Sequence, residues 1–299
     1  MATLYTHQDE NIRKTWFLMA GFLVMVIAIG YGVAWYLQNP AILYIAVIFA
    51  LFMNVGSYWF SDTLVIKMTG AKPLDPHNPQ HREVERIAEN LAITAGIPMP
   101  KMYVMHDSSP NAFATGRNPE HAAVAVTSGI LNLLDRTELE GVLAHEFSHI
   151  GNRDMLVATV AVVLAGFVAI AADMLMRAMM FGGSDNENRN PVFLVMGIVG
   201  IILAPIAAQL IHLAISRKRE YLADASGALL TRYPEGLASA LEKISGAAHP
   251  MQHASHATAH LFISDPFADG GKRSIGQKVS GLFQTHPPAH DRIRRLREM

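Results

Sequence analysis

The chain has 299 residues, of which 51% are hydrophobic and only 16% are charged, whereas an average soluble domain carries roughly 25% charged residues. This deficit argues against disorder and against a purely soluble enzyme. The net charge is −1, so the basic surface expected of a nucleic-acid-binding domain is absent and no nucleic-acid partner is predicted. Because the chain has no cysteine, thiol catalysis and Cys-ligated metals are excluded, and any metal must be held by His, Asp or Glu.

Four apolar blocks hold much of the hydrophobicity, and the first two lie close together. Residues 15–37 and 41–60 are separated only by Gln38, Asn39 and Pro40. A helix needs roughly 20 apolar residues to cross a bilayer, so the sequence predicts a transmembrane hairpin. A cleaved signal peptide is disfavoured because the first run is too long for an h-region. The alternative is a buried core hairpin, but soluble cores rarely contain apolar runs of this length.

A polar region, residues 61–154, follows the hairpin. Apolar residues at helical spacing predict a helix over 80–96. Strands are predicted at 101–105, 111–115 and 122–128. Together with the polar residues 217–299, this region supplies about 175 residues, enough for one domain with its own core.

A His-Glu-Phe-Ser-His sequence begins at His145. On a helix, His145 and His149 share a face and can bind one metal ion, while Glu146 can take a proton from water. Thr137 and Glu140 fit an upstream capping box, which predicts that a helix starts there. The alternative is a charged helix that carries two surface histidines.

The third and fourth apolar blocks are less uniform. Residues 155–181 include Asp173 and Arg177, and residues 192–215 include Gln209 and His212. Such residues within a membrane usually face a bundle interior, so two further spanning helices are predicted. The alternative is a pair partly buried in protein.

The basic residues flanking these blocks predict an orientation. The turn at 38–40 has none and the loop at 182–190 has only Arg189. The opposite ends of the blocks carry Arg13, Lys14, Lys67, Lys72, Arg153, Arg217, Lys218 and Arg219. The positive-inside rule therefore predicts that both termini and both polar regions are cytoplasmic.

Two histidines leave a catalytic zinc one protein ligand short, and residues 217–227 offer candidates. Glu220 and Asp224 are four residues apart, so one can ligate the metal while the other orients a histidine. An antiparallel pair of the third and fourth helices would bring His149 and Glu220 to the same membrane surface. The alternative is that Glu220 is an interfacial glutamate paired with its basic neighbours.

Several segments together resemble one family. HEFSHIGNRDM, SRKREYLADASGA, THPPAHDRI and NAFATGRNPEHAAVAVTSGIL are similar to the HtpX family of bacterial membrane zinc metalloproteases, relatives of the CaaX prenyl proteases in the gluzincin group. The resemblance extends over nearly the whole chain. It implies one Zn²⁺ per chain, with Glu146 as general base and a ligand set of His145, His149 and Glu220. With Glu220 as the ligand, Asp224 is the carboxylate expected to orient a histidine.

The resemblance also assigns roles outside the metal ligands. It implies that His286 helps to stabilise the oxyanion and that Arg292 holds the site in place. From the chemistry alone, the His-Pro-Pro sequence equally fits a rigid turn before a basic terminal helix. Asn111 opens a segment that resembles the edge strand with which metalloproteases bind substrate backbone, and the alternative there is an ordinary edge strand. The histidine-rich tract at 249–260 is interpreted as a mobile or exposed segment rather than a second metal site.

The expected fold is a mainly α-helical integral membrane protein with about four transmembrane helices and a zincin-like α+β cytosolic catalytic domain. The predicted parts are a hairpin at 1–60, the first catalytic part at 61–154, a second hairpin at 155–216 and the second catalytic part at 217–299.

The expected function is a membrane-bound zinc endopeptidase. The resemblance implies quality control of damaged or misassembled membrane proteins in the bacterial inner membrane, so the expected partners are membrane-protein substrates and the lipid bilayer. The sequence assigns no oligomeric state. Two alternatives stay open: a narrow CaaX-type membrane protease and a non-catalytic zinc-binding scaffold.

Overall fold

The computed structural model describes residues 4–181, 198–199, 217–247, 249–252, 254–255, 258–267 and 287–299. The predicted fourth apolar block lies almost entirely outside these described residues, and so does His286.

The first two apolar blocks form a hairpin of two long helices, α1 (Leu4–Tyr36) and α2 (Ala41–Trp59). Gln38 turns the chain with a φ of 52°, and the Asn39 side chain accepts the Ala41 N–H at the start of α2. Large apolar side chains such as Phe52, which is 73% exposed, cover the outside of the hairpin. By length and composition, Asp9–Tyr36 and Ala41–Trp59 can each cross a membrane.

The polar region begins with α3 (Ser61–Thr69) and α4 (Pro79–Ala95). Asn78 caps α4 by accepting the Gln80 N–H, Pro79 occupies the first turn, and Gly96 ends the helix at a φ of 64°. These start and stop signals explain why the predicted helix forms with nearly the expected bounds.

A four-stranded sheet contains β1 (Lys72–Pro73), β2 (Lys101–Met105), β3 (Ala112–Gly116) and β4 (Ala122–Thr127) in the order β1-β2-β4-β3. β2 and β4 are parallel, whereas β1 and β3 are antiparallel to their neighbours. One face packs against helices that contribute Ile87 and Leu143, and the other against Val65 and Val163. The strand β3 forms one edge, yet all of its residues are buried.

After α5 (Ser128–Leu133), the helix with the His-Glu-Phe-Ser-His sequence is α6 (Arg136–Gly151). Its capping box joins Asp135 and Glu138, not the predicted Thr137 and Glu140. Asp135 accepts the N–H groups of the first turn, and Glu138 accepts the Asp135 N–H in return. The helix therefore starts two residues earlier than expected.

The third apolar block forms α7 (Asp154–Phe181), bent by 84° from α6 at a break where Arg153 has a φ of 57°. The first turns of α7 are buried in protein: Val160 and Leu164 are 0% exposed. In the described part of the chain, two helices can span a membrane, or three if the bent α6–α7 pair forms one span. About four spanning helices were predicted, and the described residues contain at most three.

The second polar region contributes α8 (Arg217–Thr231), α9 (Pro234–Gly246) and α10 (Ala289–Arg297). Glycines let these helices approach α6 closely: a Cβ at Gly227 would lie 3.0 Å from the His145 nitrogen, and one at Gly141 would lie 2.6 Å from the Leu237 nitrogen. This close packing brings the first turn of α8 beside the histidines of α6.

Candidate active site

The two histidines of α6 point into the protein from adjacent turns. His145 is 1% exposed and the side chain of His149 is 15% exposed. Their rings meet edge to face with centroids 4.7 Å apart, and their Nε2 atoms are 3.2 Å apart. The four-residue spacing therefore directs two imidazole nitrogens towards one point, as a shared metal ion requires.

Glu220 completes a three-residue group from the first turn of α8. Its carboxylate oxygens lie 3.8 Å from His145 Nε2 and 3.7 Å from His149 Nε2. The ligand atoms of the three residues all lie within 4.8 Å of one another. Nitrogen and oxygen ligands bound about 2.0–2.1 Å from a tetrahedral zinc lie roughly 3.3–3.4 Å apart. The donor set and its spacing thus fit zinc.

Asp224 and Arg292 support His145 from behind. Asp224 Oδ1 lies 3.0 Å from His145 Nδ1, which leaves the Nε2 atom facing Glu220. Arg292, 1% exposed, donates from Nε and Nη2 to the two Asp224 oxygens over 2.9 and 2.7 Å. Burial alone would raise the pKa of Asp224, but Arg292 and His145 lower it to about 2. Asp224 therefore carries the charge that an orienting carboxylate needs.

Glu146 is buried between the metal-ligand candidates and the edge strand. It is 2% exposed, and the backbone N–H of Ala114 in β3 acts to lower the pKa of its carboxyl group. Burial, with a smaller contribution from the charge of Glu220, raises the pKa of Glu146 to about 7. The positive charges of His149 and Arg292 act in the opposite direction. A carboxylate with a pKa near neutrality is suited to accept and return a proton.

Asp154, which the sequence reasoning did not identify, lies behind the other histidine. Its Oδ2 atom is 3.4 Å from His149 Nδ1, so each histidine has a carboxylate beside Nδ1 and Glu220 beside Nε2. Burial would lower the pKa of His149, but Asp154 and Glu220 raise it to about 9. Asp154 follows His149 by five residues, which would place it off the ligand face of a straight helix. Only the bend at Arg153 returns it to the histidine.

Comparison with known proteins agrees with this geometry. Residues 78–299 match the model of peptidase family M48. The chain belongs to peptidase family M48. It is 44% identical to a protein named Protease HtpX homolog from Caldanaerobacter subterraneus subsp. tengcongensis, over 99% of this chain and 98% of that protein. A protein of the same name from Syntrophobacter fumaroxidans is 47% identical over 96% of this chain and 98% of that protein. Another from Pyrococcus furiosus is 46% identical over 96% of this chain and 95% of that protein.

A solved structure shares the fold of this M48 peptidase. The crystal structure of S. mikatae Ste24p aligns with a TM-score of 0.50 at 17% identity, over 98% of this chain and 67% of that one. The predicted family is therefore confirmed, and so is the coarse function: the chain is a membrane-bound metalloprotease.

The predicted roles of Asn111 and His286 are not tested by the structure. Asn111 is 1% exposed, and its carboxamide donates to the Ser264 carbonyl and accepts the Ser264 N–H. It thus fastens the segment 258–267 to β3, and its contact with substrate stays a prediction. His286 lies outside the described residues, so its role also stays a prediction.

The two described histidines of the tract at 249–260 are less exposed than expected. His249 bonds Ser108 Oγ over 2.9 Å, and His260 is only 7% exposed. The interpretation of an exposed segment is therefore wrong for His260, while His253 and His256 fall outside the described residues. Among described residues, the group of His145, His149 and Glu220 is the one that could hold a metal ion.

Proposed function

We propose that this M48 peptidase is a zinc endopeptidase in which His145, His149 and Glu220 hold one zinc ion. The observation that carries the proposal is the convergence of these three side chains beside a buried Glu146, which lies next to the edge strand β3. Two imidazoles and one carboxylate form a donor set typical of catalytic zinc, which keeps its fourth position for water. A structural zinc site would have no use for a glutamate in the position of Glu146.

The mechanism follows from the positions of the side chains. When bound, zinc supplies a Lewis acid that lowers the pKa of water and polarises the substrate carbonyl. Glu146 accepts a proton from the attacking water as the oxygen bonds to the carbonyl carbon. It then donates that proton to the amine nitrogen as the C–N bond breaks. Asp224, held by Arg292, and Asp154 keep the two histidines oriented. The family resemblance supports His286 as a donor to the oxyanion.

The substrate would bind as an extended chain along β3. Edge strands bind peptides through main-chain hydrogen bonds, and β3 passes Glu146 at Ala114, where such a chain would reach the reacting groups. Folded soluble proteins would therefore be poor substrates. Because α1 and α2 can span a membrane, we infer that the substrates are loops or ends of damaged or misassembled membrane proteins, cleaved for quality control.

Purified full-length protein in detergent micelles tests the proposed chemistry with a reduced and alkylated unfolded protein as substrate. We expect cleavage at internal peptide bonds, loss of cleavage after treatment with a chelator, and recovery when zinc is restored. Metal analysis should find one zinc per chain. Cleavage that resists chelation would contradict the proposal. Zinc binding without cleavage would favour the scaffold, and cleavage limited to prenylated C-terminal peptides would favour the CaaX-type alternative.

The proposed topology has four transmembrane helices in the bacterial inner membrane and a cytoplasmic catalytic domain. The excess of Lys and Arg at one end of each apolar block supports it. The chain has no cysteine, so Gln38→Cys, Ser184→Cys and Ser245→Cys can be labelled singly in intact spheroplasts. A membrane-impermeant maleimide should modify the first two and spare the third. Labelling of the Ser245 position would contradict the cytoplasmic domain, and protection of the Ser184 position would contradict spanning by the third and fourth blocks.

A further inference from the structure

In the polar first turns of α1, the Asn11 side chain reaches the junction of α6 and α7. Asn11 is 4% exposed, although the span that contains it is otherwise largely apolar. Its Nδ2 group donates to Asp154 Oδ1 over 2.6 Å and to the Asn152 carbonyl over 3.3 Å. The amide thus bonds the C-terminal cap of α6 and the first residue of α7 at the same time.

These two bonds lie at the point where the chain changes direction. Asn152 and Asp154 flank Arg153, whose positive φ produces the 84° bend between α6 and α7. The angle of that bend decides where the Asp154 carboxylate lies relative to α6. An amide that bonds both sides of the bend therefore fixes the carboxylate relative to the end of α6, where His149 lies.

The Asp154 carboxylate has one oxygen for each neighbour. Oδ1 accepts from Asn11 and also has Arg219 Nε at 3.8 Å, while Oδ2 faces His149 Nδ1 at 3.4 Å. A carboxylate held at one oxygen presents the other in a fixed direction, and such partners orient histidine ligands in metal sites. The bonds form a continuous path from Asn11 through Asp154 to His149.

We propose that Asn11 is a positioning residue for the metal site, through which the first membrane helix orients His149. This inference rests on the proposed function, because it takes His149 to be a metal ligand. The packing of α1 on α7, where Phe22 and Leu164 share one apolar cluster, keeps the Asn11 amide beside Asp154. The membrane hairpin is then part of the active-site support and not only an anchor.

The hairpin contains a matched control for this inference. Asn54 of α2 is also a buried asparagine, 8% exposed, but its Nδ2 group donates to the Ala50 carbonyl of its own helix. Asn54→Leu removes an amide of the same size from the same hairpin without touching Asp154. A general effect of an apolar substitution in the hairpin would appear in both variants, whereas positioning of His149 is specific to Asn11.

Zinc affinity, measured by competition with a chelator on purified full-length protein, tests the proposal. Asp154→Asn should weaken affinity by roughly 10- to 100-fold, and Asn11→Leu by about tenfold, near the lower end of effects at residues behind a ligand. Asn54→Leu should match the wild type. Asn11→Ala is measured beside Asn11→Leu, because it removes the amide without adding apolar bulk. Lower unfolding temperatures with unchanged zinc affinity would show a structural role and overturn the proposal.

A double-mutant cycle separates this path from other routes. If Asn11 acts through Asp154, adding Asn11→Leu to Asp154→Asn should weaken zinc binding little further, since the oriented carboxylate is already lost. Losses that multiply would show that Asn11 acts elsewhere and would overturn the inference. Wild-type protein that binds no zinc would refute the proposed function itself, whereas zinc-binding wild type with an unaffected Asn11→Leu would refute only this inference.

Discussion

The membrane hairpin and the catalytic helices are stabilised in different ways. In α1 and α2 only 28% and 22% of the most apolar stretches are buried inside the protein, so most of their apolar surface is left for lipid. In α6 and α8 the buried residues include charged and polar groups beside the apolar ones, among them His145, Glu146 and Asp224. The stability of the hairpin therefore depends on its overall apolar composition, and one apolar residue can replace another there. The catalytic helices depend also on individual pairs of hydrogen-bonded or charged side chains. Loss of one member leaves its buried partner without a hydrogen bond.

The largest expected difference between the two regions concerns metal binding. Glu220→Ala should lose most of the bound zinc, because it removes one of three protein ligands. Asp224→Asn should retain zinc but with affinity reduced by roughly 10- to 100-fold, since the amide supports His145 less well. Metal analysis of the purified variants, with Asn54→Leu as the hairpin control, checks this order. The reverse order would mean that the roles of Glu220 and Asp224 must be exchanged.

Removal of a buried charge should have the next largest effect. Arg292→Met leaves Asp224 charged and buried, so the free energy of unfolding should fall by about 3–5 kcal/mol. Arg294→Met, on the same helix, removes an arginine whose side chain is 64% exposed and pairs with Asp291. Its cost should be within about 1 kcal/mol. Chemical unfolding in detergent measures both, and equal losses would contradict the importance assigned to the buried pair.

Close helix packing predicts a smaller contrast, between two glycines. A Cβ at Gly141 of α6 would lie 2.6 Å from the Leu237 backbone nitrogen, whereas one at Gly21 of α1 meets nothing within 4 Å. Gly141→Ala should therefore destabilise the protein by about 1–3 kcal/mol through overpacking. Gly21→Ala should leave its unfolding temperature nearly unchanged. Similar thermal shifts in the two variants would show that α6 and α9 separate more easily than their packing implies.

An effect of similar size depends on pH. Burial would raise the pKa of Glu138, but bonds from Lys243, Ser239 and the Asp135 N–H lower it below its ordinary value of 4.5. A lowered pKa means that the charged carboxylate stabilises the fold above the unfolded pKa and that this stabilisation is lost as pH falls. Glu138→Gln should therefore cost about 1–3 kcal/mol at pH 7. Unfolding titrations should show this difference shrinking below pH 4.5, and a difference independent of pH would contradict the assignment.

Features that follow from local spacing could be predicted from the sequence. The hairpin, the helix α4 and the positions of His145, Glu146 and His149 needed only apolar run length, the helical spacing of apolar residues and the four-residue spacing of the histidines. Glu220 is distant in sequence from the two histidines. Helix geometry and the family resemblance were together sufficient to predict that it lies beside them.

Features that depend on bends and long-range contacts could not be predicted. Asp154 reaches His149 only because the chain turns sharply at Arg153, and no residue pattern before the bend specifies its angle. Asn11 lies more than a hundred residues from Asp154, so its bond is visible only when α1 is packed on α7. The first turns of the third apolar block matched a membrane span in composition, yet they are buried against protein.

The central claim is that Glu146 is the proton-transferring base of a zinc site on α6 and α8. The most direct measurement is zinc content together with proteolytic rate for purified Glu146→Gln, with Glu140→Gln on the same helix as control. We predict that Glu146→Gln retains one zinc per chain and loses at least about 10²- to 10⁴-fold in rate, while Glu140→Gln behaves as wild type. Zinc-loaded Glu146→Gln that cleaves at nearly the wild-type rate would contradict the account.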